Sequence, residues 1–305
     1  MTSVGESASQ TGAAPQLALP RAKGRPPRFG VVGPPFLFLV ALYVVPAALL
    51  FVLSLWHLND NYELEPAFSL EQYRRIVSDP VVLDLLGRTF LLAVETTAVT
   101  LLIGFPLAYY LAKVAPRRWR NLLLVTLIAP SWTSHLIRIY AWMLILGNAG
   151  LINFAAKAAH LPGAPFEFLL FNRLSVMIAL VYVYLPYMVV PIYASLEKID
   201  DHQLEAARSL GASSRRVLWR VILPLSRPGI LAGCMLTFIP TLGEYVAPAL
   251  LGGQSGYMYG NYVSDRFAVF DWPAGAALGV VLLVTTVGLL FALSRLVDLR
   301  DIGSR

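Results

Sequence analysis

Three ionisable residues interrupt long apolar stretches of this sequence: Glu95, Arg138 and Glu244. A charge at the centre of a membrane-crossing helix costs about 2.5–3.5 kcal/mol on insertion scales, so such a residue faces a packed interior or water rather than lipid. Two chemistries are open to them. Glu244, with the adjacent Tyr245 and with Glu95, could line a path for a cation, because a carboxylate offsets positive charge and an aromatic face attracts an ammonium group. Alternatively, a Glu244–Arg138 or Glu95–Arg138 ion pair could tie helices together. His135 stands one turn from Arg138. The four histidines, His57, His135, His160 and His202, form no i, i+4 metal pair, and ordinary polar contact is expected of each.

No nucleophile–base arrangement is visible along the chain. The single cysteine, Cys234, excludes an intramolecular disulfide and a cysteine-built metal site. A phosphate loop needs Gly-Lys followed by Ser or Thr, and none of the lysines (Lys23, Lys113, Lys157, Lys198) has those neighbours. The expectation is therefore a chain with no catalytic, cofactor-binding or metal site of its own.

The composition says what must position these groups. Hydrophobic residues make up 57% of the 305 and charged residues only 14%, against roughly a quarter charged in a soluble domain. About 20 apolar residues span a bilayer, and six runs qualify: about 31–56, 88–114, 122–146, 174–196, 229–251 and 274–297. Pro46, Pro106, Pro130, Pro186, Pro191 and Pro240 interrupt them, which predicts a packed bundle of bent helices. Residues 1–30 are expected to form a disordered tail, 31–297 a transmembrane domain and 298–305 a second tail. The first run is too long for a signal-peptide core and is read as retained.

Most of the 24 basic residues fall on one side of these spans. They are Arg21, Lys23, Arg25 and Arg28; Lys113, Arg117, Arg118 and Arg120; Lys198, Arg208, Arg215, Arg216, Arg220 and Arg227; and Arg295, Arg300 and Arg305. The positive-inside rule puts both termini in the cytoplasm. The net charge of +6 is thus read as membrane topology, with no nucleic acid as partner. Of the outer connections, 57–87 carries a capping-box pattern from Ser69 to Gln72, 147–173 is rich in turn residues, and 252–273 begins Gly252-Gly253.

The longest charged segment between apolar runs is Asp200–Pro228. It reads as two short helices with a hinge. Asp200 or Asp201 caps the first and Gly211 ends it. Ser213 or Ser214 caps the second, and Pro224 and Pro228 limit it. Val217, Leu218, Val221 and Ile222 form an apolar stripe, with Arg215, Arg216 and Arg220 off it. A hairpin lying on lipid headgroups and a protein-docking element both fit this pattern.

Within that segment Glu205-Ala206-Ala207, three residues, Gly211, nine residues, Val221, one residue and Leu223-Pro224 resemble the coupling loop of permease subunits of binding-protein-dependent ABC importers. Val221 stands where Ile is usual. Gly104–Tyr109, Pro130–Trp132, Leu136–Trp142, Tyr184–Met188, Ile239–Tyr245 and Asp271–Gly275 are similar to the polyamine (spermidine/putrescine) first-permease branch. One departure is Pro248-Ala249-Leu250-Leu251-Gly252-Gly253, where relatives often carry Asp in the Ala249 place. This removes an anionic group near the outer mouth and leaves other small organic cations and amino-acid-like solutes open.

The resemblance implies a type I importer fold in a bacterial inner membrane: an all-α protein of six transmembrane helices with cytoplasmic coupling helices. It implies four kinds of partner: a cytoplasmic ATPase dimer that binds the ATP, a second permease, a periplasmic substrate-binding protein and the lipid bilayer. In the coupling loop Glu205 would help hold the turn, Ala206 and Ala207 would permit close approach, and Gly211 would set the hinge. The alternatives are an ion-coupled secondary transporter, predicting transport that survives ATP depletion, a membrane-embedded enzyme, predicting turnover by the purified chain, and a scaffold anchoring a cytoplasmic complex.

Overall fold

The computed structural model of the protein describes residues 29–59 and 63–296. The expected tails, with Arg21, Lys23, Arg25, Arg28, Arg300 and Arg305, lie outside the described residues. Two compact units divide the chain, Met1–Ala48 and Leu49–Arg305. Helix α1 (Phe29–Leu53) takes the place of the first predicted span and ends at Leu53 rather than Trp56. From the first unit the structure describes only its apolar stretch up to Ala48.

The second unit contains all the other elements. A two-residue ribbon pairs His57 with Glu65 and Leu58 with Leu64, and is the one sheet among the described residues. Helix α2 (Glu71–Ser78) follows, with Ser69 Oγ accepting the Glu71 N–H at 3.1 Å. Helix α3 (Pro80–Tyr109) begins well before the predicted Arg88, because Asp79 accepts the Val81 N–H at 2.9 Å and Pro80 is preset for a first helical turn. A π-turn at Tyr110–Val114 closes it.

The third predicted span, 122–146, is not one helix. It is α4 (Arg117–Ile128), a 3₁₀ turn at Ala129–Trp132 and α5 (His135–Leu146). Pro130 lacks an N–H and its ring clashes with a continuing helix, and Thr133 and Ser134 are extended. The stretch long and apolar enough to cross a membrane is His135–Ala158, which runs through α6 (Leu151–Ala158).

Helix α7 (Arg173–Glu197) matches its predicted span. A reciprocal cap starts it, with the Asn172 side chain accepting from Ser175 N–H and Ser175 Oγ accepting from Asn172 N–H. Next come α8 (Asp201–Ser209) and α9 (Ser214–Val217). Pro224 and Pro228 do not end the second helix of this segment. The chain stays helical through a π-turn at Leu218–Ile222 into α10 (Leu223–Leu242). The wider π register surrounds Arg220, the residue whose carbonyl loses its helical donor to Pro224, and so absorbs the proline without a break.

The fifth predicted span does break, at Gly243–Tyr245, and resumes as α11 (Val246–Leu251). Helices α12 (Tyr259–Ala268) and α13 (Trp272–Leu296) complete the described residues. Among the described residues six stretches are long and apolar enough to cross a membrane.

Helices α3, α7 and α10 form the centre. A cluster at their Asp200 end gathers Ala108, Leu111, Ala112, Met188, Ile192, Leu196, Ile199, Leu204, Val217 and Ile222. Helix α10 approaches α7 through Gly229 and Gly233, four residues apart on one face. A side chain at Gly233 would meet the Met188 carbonyl oxygen at 2.8 Å, and one at Gly229 the Pro191 carbonyl oxygen at 2.4 Å. Small residues at this spacing let backbones touch where lipid supplies no hydrophobic drive. Gly233→Val is expected to destabilise the fold by about 1–3 kcal/mol, the usual cost of overpacking. A lowered melting midpoint in detergent checks this; an unchanged one refutes the close-approach account.

Candidate functional site

Two places carry chemistry. One is the segment between α7 and α10. The Asp200 side chain accepts the His202 N–H at 3.0 Å and so caps α8. The far end of α8 closes on Gly211, at φ +80°. The Ala212 N–H donates to Ala207 O at 3.1 Å and the Gly211 N–H to Arg208 O at 2.9 Å. These two bonds satisfy carbonyls that the helix end would leave open, and they need a left-handed residue between them. Ser213 holds the first position before α9 but makes no side-chain cap.

Only Leu204 of α8 is buried, in the Asp200-end cluster, while Glu205, Ala206 and Arg208 are exposed and Ala207 is half-buried. Leu210 is 89% exposed. Glu205 does not hold the turn. Its carboxylate faces His202 Nδ1 one turn earlier at 3.8 Å, and backbone bonds close the turn without it. Leu223 and Pro224 are half-buried at the start of α10.

The root of this segment is tied to the end of α3. Lys113 Nζ donates to Ile199 O at 2.6 Å and to Asp201 Oδ1 at 2.8 Å. The hydrogen bond from Lys113, followed by its charge, holds the Asp201 carboxyl below its ordinary value of 3.8. Because the folded value is the lower one, the pairing contributes above the ordinary value and is lost only as pH falls through the depressed one. Near neutral pH the bridge is therefore ionic.

The second place is the break between α10 and α11. Glu244 is 7% exposed and does not lie within a helix. Its Oε1 accepts the Val246 N–H at 2.9 Å and the Ala247 N–H at 3.2 Å, so it caps α11. Its Oε2 accepts from Tyr184 Oη at 3.2 Å and stands 3.3 Å from His135 Nε2. Three elements thus converge on one carboxylate: α5 by His135, α7 by Tyr184, and the break itself. Burial of this kind is tolerable because two backbone amides and the Tyr184 hydroxyl donate to the carboxylate.

The predicted ion pairs are not the ones formed. Glu95 pairs with Arg173 at 2.6 Å, not with Arg138. Arg138 is 9% exposed, and among the described residues no carboxylate lies within ion-pairing distance of it. Its Nε is buried without a partner. His135, one turn earlier on α5, is the side chain of that helix that reaches Glu244. Tyr245 is half exposed, and its carbonyl accepts from Asn261 Nδ2 at 2.9 Å. Tyr184 is the member that sequence reasoning missed, and His135, expected only to make ordinary polar contact beside Arg138, was not assigned to the site. The signals were His135's place one turn from Arg138 and Tyr184's place two residues before Pro186, both in otherwise apolar runs.

Known proteins resemble this chain along most of its length. The sequence model described as "Binding-protein-dependent transport system inner membrane component" matches residues 101–301. The spermidine/putrescine transport system permease protein PotB of Escherichia coli (strain K12) is 37% identical over 248 residues, 81% of this chain and 89% of PotB. The Haemophilus influenzae PotB is 35% identical over 262 residues, 85% of this chain and 90% of its own. The inner membrane ABC transporter permease protein YdcU of Escherichia coli (strain K12) is 32% identical over 218 residues, 68% of this chain and 69% of YdcU.

Among solved structures, a bacterial ABC transporter importing the acidic polysaccharide alginate superposes with a TM-score of 0.59 at 20% identity, over 88% of this chain and 95% of that one. A bacterial alginate ABC transporter in complex with its pentasaccharide-bound periplasmic protein gives 0.65 at 14% identity, over 90% and 94%. At these identities the likeness concerns the fold alone. With its model matched over 201 residues and relatives above 30% identity along most of its length, the chain belongs to the family of binding-protein-dependent transport system inner membrane components.

Proposed function

We propose that this inner-membrane permease subunit forms half of the translocation pathway of an ATP-driven importer, and that its solute is a polyamine or another small organic cation. The observation that carries the first part is the Asp200–Pro224 segment. A short helix is capped at both ends, anchored by one buried leucine, and presents Glu205, Ala206 and the exposed Leu210 outward. Such a face suits docking on another protein better than burial in its own fold. The partner in this reading is a cytoplasmic ATPase dimer, which binds the ATP, since the lysines here lack phosphate-loop neighbours.

A second permease completes the pathway, a periplasmic binding protein delivers the solute, and both termini are cytoplasmic. The tails, 1–30 and 298–305, flank the membrane domain. The polyamine assignment draws support from the names of the relatives that cover most of the chain. It also draws on the buried carboxylate of Glu244, which offers negative charge within the span region.

The test is uptake of labelled putrescine and spermidine by proteoliposomes holding the intact importer, with and without ATP. Import that depends on ATP and on the binding protein is expected. Import that persists without ATP would favour an ion-coupled carrier. ATP-dependent import of some other solute would leave the permease assignment standing and overturn the polyamine one.

A further inference from the structure

The docking segment has to move something inside the membrane, and one contact joins it to the longest helix of the bundle. Lys113 lies in the π-turn that ends α3, with its side chain only 9% exposed. Its ammonium is held by the Ile199 carbonyl and the Asp201 carboxylate, at the last residues before α8 and in its first turn. Beside it Arg120 donates to Ala112 O at 3.1 Å and pairs with Glu197 at 3.5 Å. Leu111 and Ala112 share one apolar cluster with Leu196, Ile199, Leu204, Val217 and Ile222.

Of the three helices that enter this cluster, α3 and α10 do so through π-turns, Tyr110–Val114 and Leu218–Ile222, while α7 stays α-helical throughout. Single π-turns of this kind are places where a helix yields without breaking. Helix α3 then runs 30 residues without interruption, about 45 Å at 1.5 Å per residue. In its far third Thr89 Oγ1 accepts the Tyr259 N–H at 2.9 Å, gripping the start of α12. One continuous helix is thus held at one end by the docking segment and in its far third by the α12 connection.

We propose that Lys113 is the strut that converts displacement of α8 into movement of α3. This rests on the reading of α8 as the ATPase-docking helix. The ammonium is a positioning group: it touches neither solute nor nucleotide, and it acts by holding Ile199 and Asp201 to α3. A hydrophobic cluster resists compression but slides under shear, whereas a short, half-buried ion pair with a second carbonyl acceptor fixes register. Without it α8 can shift while α3 stays, and ATP is spent without transport.

The experiment uses the whole importer in proteoliposomes and reads ATP hydrolysed per solute imported, with ATPase retention measured in parallel. Lys113→Met keeps the stem and removes the charge. It is expected to raise the ratio about fivefold or more, the range of an ordinary coupling energy between sites, and Lys113→Arg is expected to restore it to within about twofold. A ratio unchanged in Lys113→Met overturns the proposal, as does failure of the arginine to rescue. If Lys113→Met does not assemble, Asp201→Lys carries the test at a carboxylate with a side chain 77% exposed: a raised ratio supports the strut and an unchanged one overturns it. Loss of ATPase retention in the unsubstituted importer would instead sink the docking reading, so the two failures are separable.

Discussion

Gly211→Val is expected to cut ATP-driven import about tenfold or more while the transmembrane helices still assemble. A side chain at Gly211 meets nothing within 4 Å, so crowding is not the cause. The cost lies in the backbone. At φ +80° a β-carbon clashes with its own carbonyl neighbours, by about 1–2 kcal/mol for a non-glycine residue and more for a β-branched one. Valine escapes by giving up the left-handed conformation, and the two bonds Ala212 N–H to Ala207 O and Gly211 N–H to Arg208 O go with it. Helix α8 then loses its fixed angle to α9.

A loss of about 1.4 kcal/mol is tenfold in an equilibrium, so weakened ATPase retention of this order accounts for the import defect. The controls order themselves by conformational tolerance. Gly211→Asn, which accepts the left-handed region, should keep most activity, and Gly211→Ala should fall between. Normal import together with normal ATPase retention in Gly211→Val would end the docking account.

How much of this was legible beforehand depends on the distance over which each feature is decided. The capping of α8 by Asp200 and its arrest at Gly211 are decided within a few residues, and the spacing alone shows them. The long run ending at Glu197 has no internal conflict, so α7 emerges where hydropathy puts it. Hydropathy fails at Pro130 and at Gly243–Tyr245, because apolar composition reports what lipid or protein surrounds a segment, not whether its backbone is continuous. It also fails at Pro224, where the proline looks like a stop and a π-turn takes up the missing amide. The charge pairs were the least legible. Glu95 finds Arg173 and Glu244 finds His135 from other helices, and which face each helix turns inward is decided by packing such as the Gly229–Gly233 approach to α7.

Glu244→Gln is expected to lower import about tenfold or more without lowering the amount of assembled importer. The carboxylate does two separable jobs. As an acceptor it satisfies the amides of Val246 and Ala247 and so permits the break between α10 and α11. As a charge it strengthens the contacts to His135 and Tyr184, and under the proposed function it would supply a negative site for a cationic solute. Glutamine keeps a carbonyl oxygen of the same reach, so the first job survives. It loses the charge, and hydrogen bonds involving a charged group are worth about 1.5–3 kcal/mol against roughly half that for neutral ones. Alanine removes both jobs, leaves the two amides unsatisfied at about 1–3 kcal/mol each, and should reduce assembly as well. The contrast between the two substitutions is what discriminates. Import lost in step with assembly in Glu244→Gln would make Glu244 a strut between α5, α7 and α11. Import lost with assembly intact would place its charge on the solute's route, beside its side-chain partners His135 and Tyr184.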